Sequence, residues 1–488
     1  MSSGRLSDAT LAVLPPQVIR PAYDRGRTEI GVVHFGPGAF HRAHQACYFD
    51  AMLARDASLA ISAVSLRSDT VRAALVPQDG LYSLTEREAE PTIRVIGAIA
   101  EVLTAPAGPD AVFARLADPR VRFVTATVTE KGYGLTPAGD LDLDHMGVRA
   151  DLAGRCAPST LIGWLVEGLG RRHAAGAPGL TALSCDNLSG NGQRWRRATL
   201  QFAEAHGQAE LARWIAGEVG FPDSMVDSIT PATDEPLRAQ AALRLGVTDA
   251  WPIQRERFVQ WVIGGDLGVD AATFANAGVT LTGDVAAFER AKLRLLNGAH
   301  STLAYVGLRL GHETVAEAMS DPDLAAFVEA LMRHDIAASL TPTAGLDVGA
   351  YITQVLARFR NPAIVHQLSQ IAWDGSQKLP YRLLETITEA LTAGRSVARL
   401  AVGVVAWMLF VRDSARGAVA ITDPLADRLT EIGLACDGDP ARDIAMFLGL
   451  RGVFPPAVAA SACLAAALRD AYAALQADPA TALRKYMS

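Results

Sequence analysis

The chain has 488 residues, of which 50% are hydrophobic and 20% are charged, and its formal net charge is −7. This length suits two or more domains, and the negative charge gives no long-range attraction to nucleic acid or an anionic membrane. No signal peptide or membrane span is evident, and five scattered cysteines without a CxxC pair favour reduced thiols in a cytoplasmic protein.

Short β-rich runs alternate with helical segments in the first half of the chain. Residues 29–35 (EIGVVHF) and 59–66 (LAISAVSL) are apolar runs typical of buried strands. Further β-rich runs follow at 92–103, 121–133 and 178–188. Strands separated by helices of about ten or more residues are typical of βαβ units. This half is therefore predicted to form a mostly parallel sheet.

The composition changes near residue 285, where Ala and Leu become frequent and the spacing becomes helical. We therefore predict an α/β domain over residues 1–285 and an all-α domain over residues 286–488. The predicted fold class is α/β plus all-α.

A glycine turn, GPGAFH, follows the first predicted strand. Gly36 permits a tight turn, and Gly38 lets a pyrophosphate approach the helix that begins near Ala39 and Phe40. These four residues are predicted to contact a dinucleotide, although His41 replaces the third glycine of the GxGxxG fingerprint. A strand, glycine turn and helix also occur without a nucleotide, so this motif alone leaves the function open.

The second predicted strand ends at SLRSD, which places Asp69 where an acid binds the adenosine ribose hydroxyls of NAD. Arg67 is suited instead to the 2′-phosphate of NADP, so the choice of cofactor stays open. A helix N-cap is the alternative role of Asp69.

The motif HRAH places His41 and His44 three residues apart, but no further ligands lie in register. We expect no metal site here. One histidine is expected to pack against the helix start or the cofactor, and the other is expected at the surface.

Residues 288–309 have the pattern of one long helix whose apolar surface is interrupted on one side. At about 100° per residue, Glu289, Asn297 and His300 fall within less than half a turn of Lys292. A lysine is rarely buried without a partner or a purpose. Two interpretations remain: Lys292 pairs with Glu289, or it is a desolvated general base.

Seven ordered motifs resemble the polyol-specific long-chain dehydrogenases, the mannitol dehydrogenase family, over nearly the whole chain: GPGAFHRAHQ, TVTEKGY, SCDNLSGNG, FPDSMVDSITP, RFVQWV, KLRLLNGAHS and DGSQKLP. The resemblance implies an oxidoreductase that uses NAD(H), with NADP not excluded, and that needs no metal. It also implies a Rossmann-type N-terminal domain with a mostly parallel sheet and a largely helical C-terminal domain.

The resemblance implies a catalytic role for five residues. Lys292 matches the general base, and Asn187 and Asn297 match the two amides of the oxyanion hole. His300 matches a residue that binds a substrate hydroxyl, and Glu289 matches the acid that helps pass the proton to water.

Further positions carry over from the resemblance as binding residues. Asp227 and Lys378 match residues that contact substrate, with a loop cap and a solvated surface lysine as the alternatives. Thr129, Glu130 and Lys131 end a predicted strand on the cofactor side, where backbone or ribose contacts are expected.

The substrate is predicted from Lys378 and Arg382, which lie four residues apart. A sugar acid needs a cation for its carboxylate, so D-mannonate and D-fructuronate are the favoured pair. D-mannitol and D-fructose, or another polyol pair, are the alternative, in which case Arg382 is a surface residue. A catalytically silent sugar or nucleotide sensor is a remote alternative, because Lys292 and both asparagines are present. The oligomeric state stays open.

Overall fold

The computed structural model describes residues 4–154, 156–265 and 267–487, and for Glu130 the backbone only. Contacts divide the chain into two compact units, Met1–Ala286 and Ala287–Ser488. Across the described residues, no helix combines the length and the apolarity that crossing a bilayer requires.

The strands belong to the first unit. They are β1 (Ile30–Phe35), β2 (Ala60–Ser65), β3 (Tyr82–Arg87), β4 (Thr92–Ile96), β5 (Ile99–Thr104), β6 (Phe123–Ala126), β7 (Thr181–Ser184), β8 (Ser224–Asp227), β9 (Ile253–Glu256), β10 (Gln260–Gly264) and β11 (Thr280–Thr282).

A five-stranded sheet with the order β5-β2-β1-β6-β7 forms the centre of this unit. All four of its strand pairs are parallel, which confirms the predicted Rossmann-type sheet. The chain moves outward from β1 to β2 and β5, then returns to add β6 and β7 on the other side. The direction of winding therefore reverses between β1 and β6, where ligands bind in sheets of this kind.

The predicted single run at 92–103 is wrong in one respect, because it forms two strands in different sheets. β4 pairs antiparallel with β3, whereas β5 pairs parallel with β2 in the central sheet. The break falls at Gly97, whose N–H donates to the partly buried carboxylate of Asp50 at 2.8 Å. Two three-stranded sheets, β11-β10-β8 and β4-β3-β9, complete the unit.

Helices cover both faces of the central sheet. They are α1 (Ala39–Ala43), α2 (Gln45–Met52), α3 (Thr70–Leu75), α4 (Pro109–Ala117), α5 (Met146–Leu152), α6 (Leu161–Ala174), α7 (Asn191–Ala205), α8 (Ala209–Glu218), α9 (Glu235–Leu245) and α10 (Ala271–Asn276). One core cluster contains Trp261, Phe49 and Phe274, and a second contains Trp164 and Trp195.

The second unit is helical, as predicted. Its α-helices are α11 (Val285–Ala291), which starts at the unit boundary, α12 (Ala299–Leu310), α13 (Val315–Ser320), α14 (Pro322–Ala330), α15 (Val348–Phe359), α16 (Leu368–Ile371), α17 (Gly375–Leu379), α18 (Glu385–Thr392), α19 (Ala398–Ala415), α20 (Ala426–Ala435), α21 (Pro440–Leu448), α22 (Pro456–Ala459), α23 (Ala462–Ala477) and α24 (Pro479–Lys485). The apolar helix α19 is buried along most of its length and packs against α12, α20 and α23.

Short helical segments of other types complete the chain. The 3₁₀ turns are Asp8–Val13, Arg25–Arg27, Val76–Gln78, Glu130–Tyr133, Gly268–Asp270 and Ala337–Ser339, and the π-helical segments are Lys292–Gly298, Leu331–Ile336 and Pro380–Leu384.

The predicted helix over 288–309 is present but is not a uniform α-helix. It runs as α11, the π-helical segment Lys292–Gly298 and α12 without interruption. A π-helix has wider turns than an α-helix, so the assumed spacing of about 100° per residue does not hold through this segment. Such segments are rare and are often found at functional sites.

Candidate active site

The glycine turn after β1 has a backbone that only glycine adopts without strain. Gly36 has φ 83°, and a Cβ atom there would overlap the carbonyl oxygen of Thr127. The N–H of Gly38 donates to the carbonyl of Gly36 at 2.7 Å, and α1 begins at the next residue, Ala39. Phe40, the second residue of α1, stacks on His44 with ring centroids 5.0 Å apart.

A cleft of about 290 Å³ opens at the carboxyl ends of β1, β2 and β6. Its position at the reversal of winding, beside the start of α1, suits a dinucleotide, because first-turn N–H groups and hydroxyls bind phosphate oxygens. Residues that line it include Gly36, Gly38, Ser65, Arg67, Ser68, Thr127 and Gly132. The predicted cofactor residues Gly36, Gly38 and Arg67 are thus brought together at one cleft.

His34 connects β1 to β6 beneath the glycine turn. The Oγ1 of Thr127 donates to the carbonyl of Gly36 at 2.7 Å, so it accepts from Nε2 of His34, 3.0 Å away. The Nδ1 of His34 then accepts the hydroxyl of Thr125 at 2.7 Å. Burial lowers the pKa of His34 to about 3, so the ring is neutral and this bond pattern is stable.

The expectation that one histidine of HRAH lies at the surface is wrong. His41 and His44 are both fully buried. His41 stacks on His34 with centroids 3.3 Å apart, and His44 bonds to the carbonyl of Gln260 at 2.8 Å. His44 has a non-helical backbone between α1 and α2, so the two histidines do not lie on one continuous helix. Among the residues that can be described, no cluster of three or more His, Cys, Asp or Glu side chains is arranged for a metal ion.

Asp69 lies just beyond the end of β2, at the start of α3. Asp69 occupies the N-cap position of α3, as the alternative predicts, but its side chain makes no bond to the α3 backbone. Its Oδ1 instead accepts the hydroxyl of Thr104, at the end of β5, at 2.6 Å. Arg67, two residues before Asp69, is exposed. The guanidinium of Arg72 lies 4.0 Å from Oδ2 of Asp69.

Thr129 has an unusual backbone, with φ 70° and ψ 160°. Its N–H donates to Oδ1 of Asp186 at 2.9 Å, while Oδ2 of Asp186 accepts the N–H of Val128 at 3.0 Å. The hydroxyl of Tyr133 also donates to Oδ2, at 2.8 Å. Sequence reasoning missed Asp186, although its place in SCDNL, two residues after the end of β7, was a signal.

The remaining predicted residues of the first unit lie at strand ends and in the loop after Thr129. The prediction for the Glu130 side chain falls outside the described residues, and Lys131 is exposed. Asn187 is exposed and follows β7 directly after Asp186. Asp227 is buried at the end of β8, opposite Gln260 of β10.

In the second unit, Lys292 and Asn297 belong to the first π-helical segment, and His300 follows it in α12. All three side chains are partly exposed, as is Glu289 in α11, whereas Leu295 is fully buried. The polar residues therefore share accessible parts of a helix that otherwise packs into the core. Each of these polar residues is therefore only partly covered by the rest of the unit.

A second π-helical segment, Pro380–Leu384, packs against the first. Gly298 allows this approach, since a Cβ atom there would lie 2.7 Å from the carbonyl oxygen of Arg382. The Nη1 of Arg382 donates to Oγ of Ser301 at 2.9 Å and reaches the carbonyl of Asn297 at 3.5 Å. Arg382 is partly buried, and burial lowers its pKa, so it is not an ordinary surface residue.

His300 is enclosed by aromatic rings and cations. Phe359 stacks on it with centroids 5.1 Å apart, and the ring of His366 lies edge-on with its centroid 4.8 Å away. Burial, followed by the charges of His366 and Arg382, holds the pKa of His300 well below its usual value. His300 is therefore neutral near pH 7 and can donate or accept one hydrogen bond at each nitrogen. His366 was not identified from the sequence.

Lys378 in α17 lies beside these groups. Its Nζ donates to the carbonyl of Ile371 at 3.4 Å, and its pKa is lowered by burial and by Arg382. Within the described parts of the chain, neither Lys378 nor Arg382 forms an ion pair with a carboxylate. The carboxylates of Asp374 and Asp423 act on Lys378 only from beyond ion-pair distance. Two neighbouring cations with no carboxylate in direct contact suit a negatively charged ligand.

Two family models match this chain. Residues 30–272 match the mannitol dehydrogenase Rossmann domain, and residues 284–476 match the mannitol dehydrogenase C-terminal domain.

Individual relatives cover most of the chain. A mannitol 2-dehydrogenase of Pyrenophora tritici-repentis is 39% identical over 84% of this chain and 74% of its own. A D-mannonate oxidoreductase of Escherichia coli is 38% identical over 93% of this chain and 95% of its own. The solved ternary complex of Pseudomonas fluorescens mannitol 2-dehydrogenase with NAD and D-mannitol is 36% identical, covers 99% of both chains and has a TM-score of 0.79.

Proposed function

This chain belongs to the mannitol dehydrogenase family of oxidoreductases, and from that premise we propose that it interconverts a secondary alcohol and a ketone of a sugar acid with NAD(H). The favoured pair is D-mannonate and D-fructuronate. In this proposal the first unit binds the dinucleotide and the second unit supplies the general base and the carboxylate-binding cations.

The cofactor proposal rests on the cleft at the glycine turn. Backbone N–H groups after Gly38 bind the pyrophosphate, and Asp69 accepts the ribose hydroxyls. Thr129 and Lys131 contribute further contacts from the loop after β6. Bound NAD(H) supplies the hydride acceptor or donor.

Lys292 acts as the general base in the direction of alcohol oxidation. Its neutral amine takes the carbinol proton while hydride leaves the same carbon, and Glu289 passes that proton on to water. The side-chain amides of Asn187 and Asn297 donate to the alkoxide oxygen, which stabilises the developing charge without adding a titrating group. His300 and Asp227 bind neighbouring hydroxyls and fix the orientation of the carbon chain.

The preference for a sugar acid rests on Lys378 and Arg382. Both cations are partly desolvated, and each is close enough to lower the pKa of His300. Apart from the bonds to Ser301 and Asn297, the guanidinium N–H groups of Arg382 have no partner among the described residues. A substrate carboxylate would satisfy these donors and offset the repulsion between the two cations.

D-mannitol and D-fructose are the second candidate pair. The observation that favours it is the ternary complex of the Pseudomonas fluorescens relative, which holds D-mannitol. A polyol has no carboxylate, so this alternative assigns Arg382 a structural role through Ser301 and Asn297.

The test is NADH oxidation with D-fructuronate and D-fructose side by side, in the wild type and in Arg382→Gln. We expect fructuronate to be preferred, and the variant to raise its KM by about 10-fold or more, because a charge-assisted bond contributes roughly 1.5–3 kcal/mol. Activity with fructose should change little. Arg451→Gln, at an exposed position of the same unit, is the matched control. Preference for fructose, with equal losses for both substrates in Arg382→Gln, would favour the second pair.

A further inference from the structure

Thr104 contacts Asp69 where the neighbouring strands β5 and β2 of the central sheet end. Thr104 is the last residue of β5 and pairs with Ser65, the last residue of β2. Its hydroxyl donates to Oδ1 of Asp69 at 2.6 Å. Thr104 is 7% exposed, and its carbonyl accepts the N–H groups of Ala107 and Gly108, so its position is fixed by the backbone.

Asp69 has a competing partner on the other side. The carboxylate is about half exposed, and the guanidinium of Arg72 lies 4.0 Å from Oδ2. Without the Thr104 bond, rotation about the Asp69 side chain toward Arg72 is favoured by charge. The hydroxyl of Thr104 therefore holds the carboxylate in one orientation at the end of β2.

We propose that Thr104 is a positioning residue that orients Asp69 toward the adenosine ribose and thereby sets the preference for NAD(H) over NADP(H). The inference rests on the proposed use of NAD(H), and it adds a residue outside the glycine turn to the cofactor site.

The chemistry of the two cofactors explains the expected preference. A fixed carboxylate accepts hydrogen bonds from the 2′- and 3′-hydroxyls of NAD(H), and it repels the 2′-phosphate of NADP(H). A carboxylate that turns toward Arg72 would lose both effects. Arg67 would then lie beside the ribose as a cation suited to the 2′-phosphate.

The experiment measures the Kd of NADH and of NADPH by fluorescence titration, with no turnover required. The variants are Thr104→Val, which removes the hydroxyl at nearly constant volume, Thr104→Ser, which keeps it, Asp69→Ala, and the double variant Thr104→Val with Asp69→Ala. We expect Thr104→Val to reduce the ratio of the NADPH Kd to the NADH Kd roughly fivefold or more, and Thr104→Ser to stay near the wild type. Asp69→Ala should weaken NADH binding more than NADPH binding.

The double variant separates positioning from general structural support. If Thr104 acts through Asp69, Thr104→Val should have no further effect on the ratio once Asp69 is alanine. Additive effects in the double variant, or an unchanged ratio in Thr104→Val with normal NADH binding, would overturn this inference alone. Wild-type protein that binds neither dinucleotide would overturn the proposed function together with it.

Discussion

The carboxylate of Asp186 accepts the backbone N–H of Thr129 at 2.9 Å and so stabilises a β-branched residue at φ 70°. Backbone of this kind is almost confined to glycine and costs about 1–3 kcal/mol in other residues. The same carboxylate also receives the N–H of Val128 and the hydroxyl of Tyr133. One side chain after β7 therefore holds the loop that leaves β6 beside the glycine turn.

Asp186→Ala should lower the free energy of unfolding by about 2 kcal/mol or more, because two backbone N–H groups lose their acceptor and the hydroxyl of Tyr133 keeps only Ser184 as a partner. It should also weaken NADH binding, since the loop at Thr129 borders the cleft through Val128 and Gly132. Urea unfolding and fluorescence titration measure the two effects. Asp144→Ala, at an exposed position of the same unit, is the control. An unchanged urea midpoint in Asp186→Ala would show that Thr129 does not depend on this carboxylate.

Lys292→Arg should lose turnover by about 100-fold or more, because an arginine keeps the charge but cannot act as a base near neutral pH. The chain contains four lysines among its 45 lysine and arginine residues, so lysine is the rarer choice of cation here, and it offers a titrating amine that arginine lacks. NADH binding should remain intact. Steady-state kinetics and NADH titration check both points, with Lys485→Arg as the matched control. Turnover near the wild-type value would exclude Lys292 as the base.

The central fold was predictable because each buried parallel strand is a short apolar run that ends in a turn. EIGVVHF became β1 and LAISAVSL became β2 with small differences at the ends. The division of 92–103 was not predicted, since the apolar pattern continues through Gly97 and the break depends on Asp50 from a distant helix. Contacts with residues far along the chain leave no local pattern.

The candidate site was predictable to a similar extent. The resemblance selected His300 and Lys378, and the spacing of four residues from Lys378 added Arg382. The structure brings these three residues together. The π-helical backbone of Lys292–Gly298 was not predicted, because its residues have ordinary helix-forming composition and the packing of Arg382 on Gly298 involves a segment far along the chain. His366 was missed because only the folded chain places its ring beside His300.

Gly298→Ala should push the π-helical segments Lys292–Gly298 and Pro380–Leu384 apart. The added Cβ would lie 2.7 Å from the carbonyl oxygen of Arg382, a backbone atom that cannot move by side-chain rotation. We expect a loss of about 1–3 kcal/mol in unfolding free energy, the usual cost of overpacking, and a larger fractional loss of turnover than of NADH affinity. Gly452→Ala is the control, since a Cβ there meets no atom within 4 Å. Normal stability and turnover in Gly298→Ala would show that the close approach is not required.

Acidification should destabilise the first unit through His34. The pKa of this buried ring is lowered to about 3, whereas an unfolded histidine has a pKa near 6.5. Between these values the unfolded chain binds more protons than the folded one, so the free energy of unfolding rises with pH in this range. Well above pH 6.5, His34 therefore does not lower the free energy of unfolding. As the pH falls toward 3, it lowers the free energy of unfolding by an increasing amount.

Replacing His34 should weaken this pH dependence. Lowering the pH from 7.5 to 5.5 should cost the wild type about 1.4 kcal/mol through His34 alone, and His34→Gln should lack that loss. The glutamine should be less stable at pH 7.5, because it reproduces the bonds to Thr125 and Thr127 only in part. Urea unfolding at the two pH values measures the difference, and His334→Gln, at an exposed position, should leave it unchanged. An equal loss of stability on acidification in His34→Gln and the wild type would mean that His34 carries a proton in the folded state.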